Sequence, residues 1–233
     1  MEILKTEMLC KQYGAAMVLK NLNLSIQQGE IYCLLGQNGA GKTTTINLFL
    51  GFIQASSGKI YVNNTEVKIN DNLPKEFISY IPEVVQLYDN LSGIENLDYF
   101  SRLAGKKYNT AQLADFLTET GLQKNAHHKH LKGYSKGMRQ KVAIAIALAK
   151  NAKVIFMDEP TSGLDPMATD EFSRIVNNLK QQGKTVFMAT HDIFNAVNIA
   201  STIGIMKGGE LVQQINPKNI TAVELQKLYL ETV

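Results

Sequence analysis

A glycine-rich stretch, Gly36 to Thr44, constrains the fold of this chain more than any other segment. It reads GQNGAGKTT and matches the phosphate-loop pattern G-x-x-x-x-G-K-[ST]; an apolar run, Ile31 to Leu35, precedes it and a helix-like stretch, Thr44 to Leu50, follows it. Glycines let consecutive backbone N–H groups turn toward phosphates, and a helix N-terminus adds partial positive charge. The strand, loop and helix together predict a site for a nucleoside triphosphate.

Two side chains of this phosphate loop predict contacts with the nucleotide and with a metal ion. Lys42 is expected to reach the β- and γ-phosphates, and the hydroxyl of Thr43 is expected to ligate Mg²⁺. The competing interpretation is a glycine-rich turn without a ligand, which the flanking strand and helix disfavour. The other positions expected around the phosphates are Gly36, Asn38, Gly39, Ala40, Gly41 and Thr44.

Composition narrows the function classes that are open to the chain. A length of 233 residues with 45% hydrophobic residues suits one domain with an appended subdomain. The net charge of +3 is small and Lys and Arg are scattered, so we expect no nucleic-acid partner. Cys10 and Cys33 lie in apolar, strand-like contexts, which indicates a reducing compartment without disulfides. No apolar run approaches the roughly 20 residues that span a bilayer, so a membrane process would need another chain.

Apolar periodicity predicts an α/β chain with a helical interruption. Residues 2–35 alternate apolar and polar residues, which predicts an antiparallel sheet that leads into the phosphate loop, and residues 58–67 continue this pattern. Residues 90–150 have mostly helical spacing and predict an all-α insertion. Later strands are predicted over residues 154–157, 185–189, 203–206 and 211–215, and a closing amphipathic helix over 221–230.

Two adjacent carboxylates, Asp158 and Glu159, directly follow the apolar run Val154 to Met157. Carboxylates at the end of a buried strand are costly to bury unless a cation or a water molecule needs them. In phosphate-loop enzymes an aspartate at this place holds Mg²⁺, which predicts that role for Asp158. Glu159 is expected to orient and deprotonate the attacking water.

Three further positions allow a structural and a functional interpretation. Tyr13 could stack on a nucleotide base or be a half-buried strand residue. Ser135 could be a helix N-cap or could, with Gly137, present a hydroxyl and backbone N–H groups to a phosphate. His191, at the end of an apolar strand, could be structural or part of the site. The cluster of His127, His128 and His130 lacks metal-ligand spacing and is expected to be a solvated surface.

The order of these elements resembles the ATP-binding subunit of an ATP-binding cassette (ABC) transporter, from about Ile3 to Gln214. The resemblance implies an α/β fold: a P-loop NTPase (RecA-like) core with an N-terminal antiparallel β-subdomain and an inserted α-helical subdomain. It further implies one ABC ATPase domain over residues 1–233, with the core at approximately 1–82 and 151–216, the helical subdomain at 83–150 and a C-terminal helix at 217–233.

The resemblance also assigns roles to residues. Tyr13 falls where the family places the aromatic that stacks on adenine, and His191 where it places a histidine that contacts the γ-phosphate. Residues 162–165 resemble the loop that contacts the second cassette of a dimer, called the dimer-contact loop below. Ser135 and Gly137 fall in the signature segment, residues 134–138, which contacts the ATP bound to the second cassette.

Two departures from the family pattern affect this site. The signature segment is usually Leu-Ser-Gly-Gly-Gln, whereas this chain has Lys136 at its third position and Met138 at its fifth. Glu83 stands where the family usually has a glutamine that couples Mg²⁺ to the membrane partner; Gln86 is the weaker candidate for that place. A carboxylate can ligate Mg²⁺, but it cannot donate a hydrogen bond as an amide does.

The resemblance implies an ATPase with ATP and Mg²⁺ as cofactors, acting with a second copy of itself in a head-to-tail dimer. It further implies a separately encoded transmembrane permease, a place at the cytoplasmic face of the cell membrane, and export of drugs, peptides or other hydrophobic cargo. One alternative is a soluble ABC-type ATPase in cofactor assembly or regulation. Another is an ATP-binding regulatory module without turnover.

Overall fold

The computed structural model describes residues 1–69 and 76–232. The described residues form ten strands and seven α-helices. The strands are β1 (Glu2–Tyr13), β2 (Ala16–Gln27), β3 (Ile31–Gly36), β4 (Ser57–Val62), β5 (Thr65–Glu66), β6 (Ile78–Ile81), β7 (Val154–Asp158), β8 (Thr185–Thr190), β9 (Thr202–Lys207) and β10 (Glu210–Ile215). The helices are α1 (Lys42–Phe49), α2 (Gly93–Leu103), α3 (Thr110–Glu119), α4 (Lys136–Ala149), α5 (Pro166–Gln181), α6 (Ile193–Ile199) and α7 (Ala222–Thr232).

The N-terminal strands form an antiparallel sheet in the order β2-β1-β4-β5. Alternate residues of β2, among them Leu22, Leu24 and Ile26, are buried, which is the period of a strand with one face on the core. Asn63 and Asn64 both have positive φ and form the tight turn between β4 and β5. The predicted antiparallel β-subdomain is therefore confirmed.

The larger sheet has the order β10-β9-β3-β8-β7-β6 and is parallel except for β10, which runs antiparallel to β9. Every residue of β3, β7 and β8 is buried, because helices or the other sheet cover both faces. The carboxyl ends of parallel strands meet at one edge of a sheet. The phosphate loop and His191 follow β3 and β8, and the Asp158-Glu159 pair lies at the end of β7, so all three lie at the same edge.

Helix α1 packs on the face of the larger sheet that is turned toward the antiparallel sheet. The Phe49 ring centroid lies 5.5 Å from that of Phe156 and 5.9 Å from that of Phe187. The other face packs against α5, α6 and α7, whose buried side chains include Val176, Ala196 and Leu225. This layering of helices on a mostly parallel sheet confirms the predicted P-loop NTPase core.

Helices α2, α3 and α4 lie between β6 and β7 in the chain and have a core of their own, which includes Leu97, Leu117 and Val142. Their N-termini are defined by side-chain caps. Ser92 and Glu95 form a capping box on α2, and Ser135 caps α4 by accepting from the backbone N–H of Met138. The inserted α-helical subdomain is thus confirmed, and no helix in the described ranges is long and apolar enough to cross a membrane.

The expectation of a solvated histidine surface is wrong for His127. This side chain is buried in the helical subdomain, and its Nε2 lies 3.0 Å from the carbonyl oxygen of Leu122. The residues around it, Leu122 and Ala126, belong to the same apolar core, so His127 fills a packed site with a backbone partner. His128 and His130 are exposed, as expected. Among the described residues no group of three or more His, Cys, Asp or Glu side chains could hold a metal ion.

Candidate functional site

The phosphate loop connects β3 to α1, and its glycines are required by the backbone. Gly39 and Gly41 have φ of 84° and 108°, in the region that favours glycine. A Cβ on Gly41 would lie 2.6 Å from Cδ2 of Leu19 and 2.9 Å from Cε of Met206. A Cβ on Gly36 would lie 2.8 Å from the carbonyl oxygen of Met206. The pattern predicted from the sequence therefore has a steric reason at Gly36 and Gly41, while at Gly39 the reason is the backbone angle.

Lys42, the first residue of α1, is buried at the mouth of this loop. Its Nζ donates to the carbonyl oxygens of Gly36, at 2.7 Å, and Gln37, at 3.3 Å. The same ammonium lies 3.4 Å from Oε1 of Glu159, which makes an ion pair. A buried cation held among loop carbonyls and one carboxylate is placed to bind a phosphate oxygen.

Asp158, the last residue of β7, is buried beside this ammonium. Burial raises the pKa of its carboxyl, and the negative charges of Glu159 and Glu83 act in the same direction. A hydrogen bond from the hydroxyl of Thr43 and the charge of Lys42 lower the pKa and offset part of that effect. Asp158 therefore lies near Thr43 and near Glu83, the position at which the resemblance implies a further Mg²⁺ contact.

The oxygen atoms around Asp158 fit a hard divalent cation. Oδ1 of Asp158 is buried and has no hydrogen-bond partner among the described residues. Carboxylate and hydroxyl oxygens are the ligands that Mg²⁺ prefers. An unpartnered buried carboxylate oxygen is costly, and a cation would remove that cost. Asp158, Thr43 and Glu83 are thus the residues that could hold Mg²⁺.

Glu159 is turned toward Lys42 and His191 by an unusual backbone angle. Its φ is 44°, in the left-handed region, which costs roughly 1–2 kcal/mol for a residue with a side chain. Its N–H donates to the carbonyl oxygen of Ala189 on β8, which anchors this turn. Oε2 lies 2.8 Å from Nδ1 of His191 and accepts from the His191 backbone N–H at 3.2 Å. The carboxylate of Glu159 therefore joins Lys42 of the phosphate loop to His191 after β8.

Tyr13 ends β1 and is 48% exposed. Tyr13 pairs with Ala16 next to the turn between β1 and β2, and Nζ of Lys11 is 4.7 Å from its ring centroid. This agrees with the half-buried strand interpretation, and the exposed part of the ring remains able to stack on a base. Asn38, in the phosphate loop, is also exposed.

Ser135 and Gly137 begin α4, at some distance in the chain from every other part of the site. Ser135 is the helix N-cap, as the structural interpretation predicts, and its side chain is exposed. In the described part of the chain, no hydrogen bond or ion pair joins either residue to the phosphate loop. The cap and the phosphate interpretation are compatible, because the hydroxyl and the helix N-terminus face outward.

One contact between α4 and the loop after Glu159 was not predicted from the sequence. Gln140 is buried in α4 and donates from Nε2 to the carbonyl oxygen of Pro160, directly after Glu159. The available signal is a polar amide four residues after Lys136, on the same face of the helix. The N-terminal turns of α4 therefore hold the loop that follows the two carboxylates.

Similarity to known proteins agrees with this geometry. The family described as ABC transporter matches residues 19–162. An uncharacterized ABC transporter ATP-binding protein of Synechocystis is 41% identical over 197 residues, covering 83% of this chain and 55% of that protein. The bacitracin transport ATP-binding protein BcrA of Enterococcus faecalis is 34% identical, covering 92% of this chain and 69% of BcrA. The lantibiotic transport ATP-binding protein SrtF of Streptococcus pyogenes is 34% identical, covering 90% and 89%.

Solved structures share the whole fold. A protein of Clostridium perfringens that is part of the ABC transporter complex cbiONQ superimposes with a TM-score of 0.85 at 29% identity, covering all of this chain and 94% of that one. The ATP-binding cassette MJ0796, in a dimeric post-hydrolysis state with ADP and Pi, superimposes with a TM-score of 0.81 at 26% identity, covering 92% and 99%. The chain spans little more than half of the Synechocystis relative. The family match covers more than half of this chain, and the chain covers most of SrtF. This chain therefore belongs to the ABC transporter family and is similar to the ATP-binding subunits of that family.

Proposed function

We propose that this chain hydrolyses MgATP to drive transport through a separately encoded transmembrane permease, and that the transport is export of a drug, peptide or other hydrophobic cargo. The observation that carries the proposal is the position of Glu159, whose carboxylate contacts Lys42 at the phosphate loop and His191 opposite it. Export is supported by the names of BcrA and SrtF, which describe bacitracin and lantibiotic transport.

Phosphate and metal binding are assigned to one edge of the larger sheet. Residues 36–44 bind the phosphates through backbone N–H groups, and Lys42 binds the β- and γ-phosphate oxygens. Thr43, Asp158 and Glu83 would hold Mg²⁺, and the bound ion would neutralise developing charge on the phosphates. Tyr13 stacks on the adenine. The unpartnered oxygen of Asp158 supports the metal role, and the exposure of the Tyr13 ring supports stacking.

Water activation is assigned to Glu159. Its Oε1 has no hydrogen-bond partner among the described residues, apart from the ion-pair contact with Lys42, so this oxygen can accept a proton from water. The contact of His191 with Oε2 fixes the direction of the carboxylate. His191 also contacts the γ-phosphate in this proposal, so it links the water to the group that the water attacks.

A second copy of the chain completes the site. Ser135 caps α4 with an exposed side chain and Gly137 lies in the first turn of the helix, where a hydroxyl, N–H groups and partial positive charge suit an anion. Because they lack contacts with their own phosphate loop within the described residues, we assign them to the ATP of a partner in a head-to-tail dimer. The cassette MJ0796, which this chain resembles, is described as dimeric.

The surface that meets the permease is assigned to the segment from Glu83 to Ile94 and the adjoining groove. Val84 and Tyr88 of this segment are exposed, and the Tyr88 ring lies 5.1 Å from the Tyr99 ring of α2. A groove of about 380 Å³ lies beside it, with Phe52, Tyr80 and Leu103 among its apolar lining residues. Exposed apolar surface of this kind is typical of a protein interface. This contact would hold the chain at the cytoplasmic face of the membrane.

The domain division is part of this proposal. Residues 1–82 and 151–216 form the nucleotide-binding core, residues 83–150 the helical subdomain that carries Ser135, and residues 217–233 the C-terminal helix. The separate core of α2, α3 and α4 supports a subdomain that moves as a unit. Residues 70–75 and 233 lie outside the described ranges.

The test has two parts. Purified protein should hydrolyse ATP in the presence of Mg²⁺, and the tagged chain should co-purify from detergent-solubilised membranes with a multi-helix membrane protein identified by mass spectrometry. Hydrolysis without any membrane partner would replace the transporter by a soluble ABC-type ATPase. ATP binding without hydrolysis, with or without the partner, would make the chain a regulatory module.

A further inference from the structure

The two departures from the family pattern, Lys136 in the signature segment and Glu83 in place of glutamine, meet at one residue. Ser162, the first residue of the dimer-contact loop, donates from Oγ to Oε1 of Glu83 at 3.1 Å. The carbonyl oxygen of the same residue accepts from Nζ of Lys136 at 2.5 Å. Ser162 thereby joins three segments that are far apart in the chain.

The Lys136 contact depends on the length and charge of its side chain. A glycine, which the family usually has at this position, has no donor that could cross from α4 to the loop. A hydrogen bond from a charged donor is roughly twice as strong as a neutral one. Lys136 is half-buried, so fewer water molecules compete with the Ser162 carbonyl oxygen for its ammonium group.

Gln140 shows that this contact is part of a larger arrangement. Lys136 and Gln140 are four residues apart and share a helix face, and they donate to the carbonyl oxygens of Ser162 and Pro160 respectively. Two donors on consecutive turns of α4 therefore bind two carbonyls of the loop after Glu159. The loop is fixed along its length instead of at a single point.

The loop after Glu159 is in turn hydrogen-bonded to Glu159 itself and to the residue that follows His191. The N–H of Ser162 donates to the carbonyl oxygen of Glu159 at 3.1 Å, and Thr161 donates from Oγ1 to Asp192 at 3.2 Å, next to His191. A displacement at Ser162 would therefore be transmitted to both ends of the Glu159–His191 contact. Geometry errors of about 1 Å at a reacting group lower rates strongly.

We propose that Lys136 and Ser162 are positioning residues for ATP hydrolysis: together with Glu83 they form a polar bridge that holds the signature segment, the dimer-contact loop and the Glu83 segment in one arrangement. The inference rests on the proposed function, because it concerns the rate of that same reaction. The bridge sets the orientation of Glu159, and neither Lys136 nor Ser162 is among the residues assigned to the ATP of its own protomer. It should therefore affect kcat and leave the affinity for ATP unchanged.

The first measurement needs no catalysis. Hydrogen exchange of the full chain without nucleotide should be faster at the backbone amides of Ser162 and Leu164, which bond within the loop, in Lys136→Met than in the unmodified protein. Lys136→Met keeps most of the apolar stem and removes the donor. Lys141→Met is the matched control, because Lys141 is on the same helix and pairs with Glu171 away from the loop. Unchanged exchange in Lys136→Met would overturn the bridge whether or not the protein hydrolyses ATP.

The second measurement is steady-state kinetics with direct ATP binding. We expect kcat to fall about tenfold in Lys136→Met, as for the loss of one charge-assisted hydrogen bond, with an unchanged Kd for ATP, and we expect Lys136→Arg to restore kcat. Ser162→Ala removes the bond to Glu83 but keeps the carbonyl, so it should lower kcat by a smaller factor. Parental kcat in Lys136→Met, or a loss of ATP affinity equal to the loss of kcat, would contradict a positioning role. An unmodified protein that never hydrolyses ATP would contradict the proposed function instead.

Discussion

Nδ1 of His191 lies 2.8 Å from Oε2 of Glu159, and Oε1 of the same carboxylate lies 3.4 Å from Nζ of Lys42. One carboxylate therefore joins the end of β8 to the start of α1. The two contacts leave Oε1 without a hydrogen-bond partner in the part of the chain that the structure describes. A carboxylate that is oriented through one oxygen and has no hydrogen bond on the other suits the activation of water.

Glu159→Gln should bind ATP and lose turnover. The amide keeps the shape of the side chain but cannot accept a proton, so we expect kcat to fall by about 10²–10⁴-fold. The protein should then accumulate as an ATP-bound dimer, which size-exclusion chromatography with and without MgATP would show. Glu171→Gln, an exposed carboxylate on α5, is the control and should keep parental turnover. Hydrolysis at the parental rate in Glu159→Gln would remove Glu159 from this role.

His191→Ala should lower kcat more than it lowers ATP affinity. The change removes the ring that orients Oε2, while the His191 backbone N–H still donates to the same oxygen. We expect a loss of about 10–100-fold in kcat, since one of two orienting bonds remains. The comparison variant is His128→Ala, an exposed histidine of the helical subdomain. Equal effects of the two substitutions would show that His191 has no special part in turnover.

Asp158 should make stability and Mg²⁺ binding depend on pH in opposite directions. Burial raises its pKa in the folded chain, so the folded state binds more protons than the unfolded state. Without Mg²⁺, the free energy of unfolding should therefore fall as pH rises from the ordinary aspartate range through this raised pKa. Mg²⁺ binds the ionised form, so its affinity should rise over the same interval.

Asp158→Asn provides the measurement. Near neutral pH and without Mg²⁺ it should raise Tm by about 2–4 °C for each 1 kcal/mol of relieved burial cost, and it should lose the dependence of ATP binding on Mg²⁺. Thermal unfolding scans across pH, with and without Mg²⁺, test both parts. Asp170→Asn is the control, because Asp170 is an exposed partner of Arg174 one turn away on α5. A lower Tm in Asp158→Asn would show that Asp158 stabilises the fold as a charged group.

Gly41→Ala should destabilise the fold and abolish ATP binding. The added methyl group would meet Leu19 and Met206, at a φ of 108° that residues with a side chain rarely adopt. We expect a loss of roughly 1–3 kcal/mol in the free energy of unfolding, measured by urea denaturation. Gly14→Ala is the matched control: it also has a positive φ, but nothing lies within 4 Å of its added Cβ. Equal losses in the two variants would attribute the effect to the backbone angle alone.

Local patterns were sufficient for much of the fold and for part of the site. The phosphate loop is a contiguous segment, so its residue spacing already specifies a strand, a tight turn and a helix start. The apolar runs before Asp158 and His191 predicted strands, and in the structure these strands are parallel and place their carboxyl ends at one edge of the sheet. The predicted closing amphipathic helix likewise depends on neighbouring residues, and α7 confirms it.

Other features depend on residues that are far apart in the chain. The burial of His127 was not predicted, because a histidine in a polar stretch gives no indication of the apolar core that surrounds it. The contacts of Ser162 with Glu83 and Lys136 span 79 and 26 residues of sequence. No periodicity relates such pairs; they meet because the helical insertion folds back on the core.

The sequence by itself determined the phosphate loop, the order of strands and helices around it, and the two carboxylates that face it, since each is written in a short segment with its own backbone and burial preferences. Only the tertiary structure decided how Glu159 is aimed. Its left-handed φ is maintained by the N–H bond to Ala189, and its carboxylate is held by Lys42 and His191 from two other elements. A strained backbone angle persists when surrounding contacts fix it, and those contacts exist only after the sheet has formed.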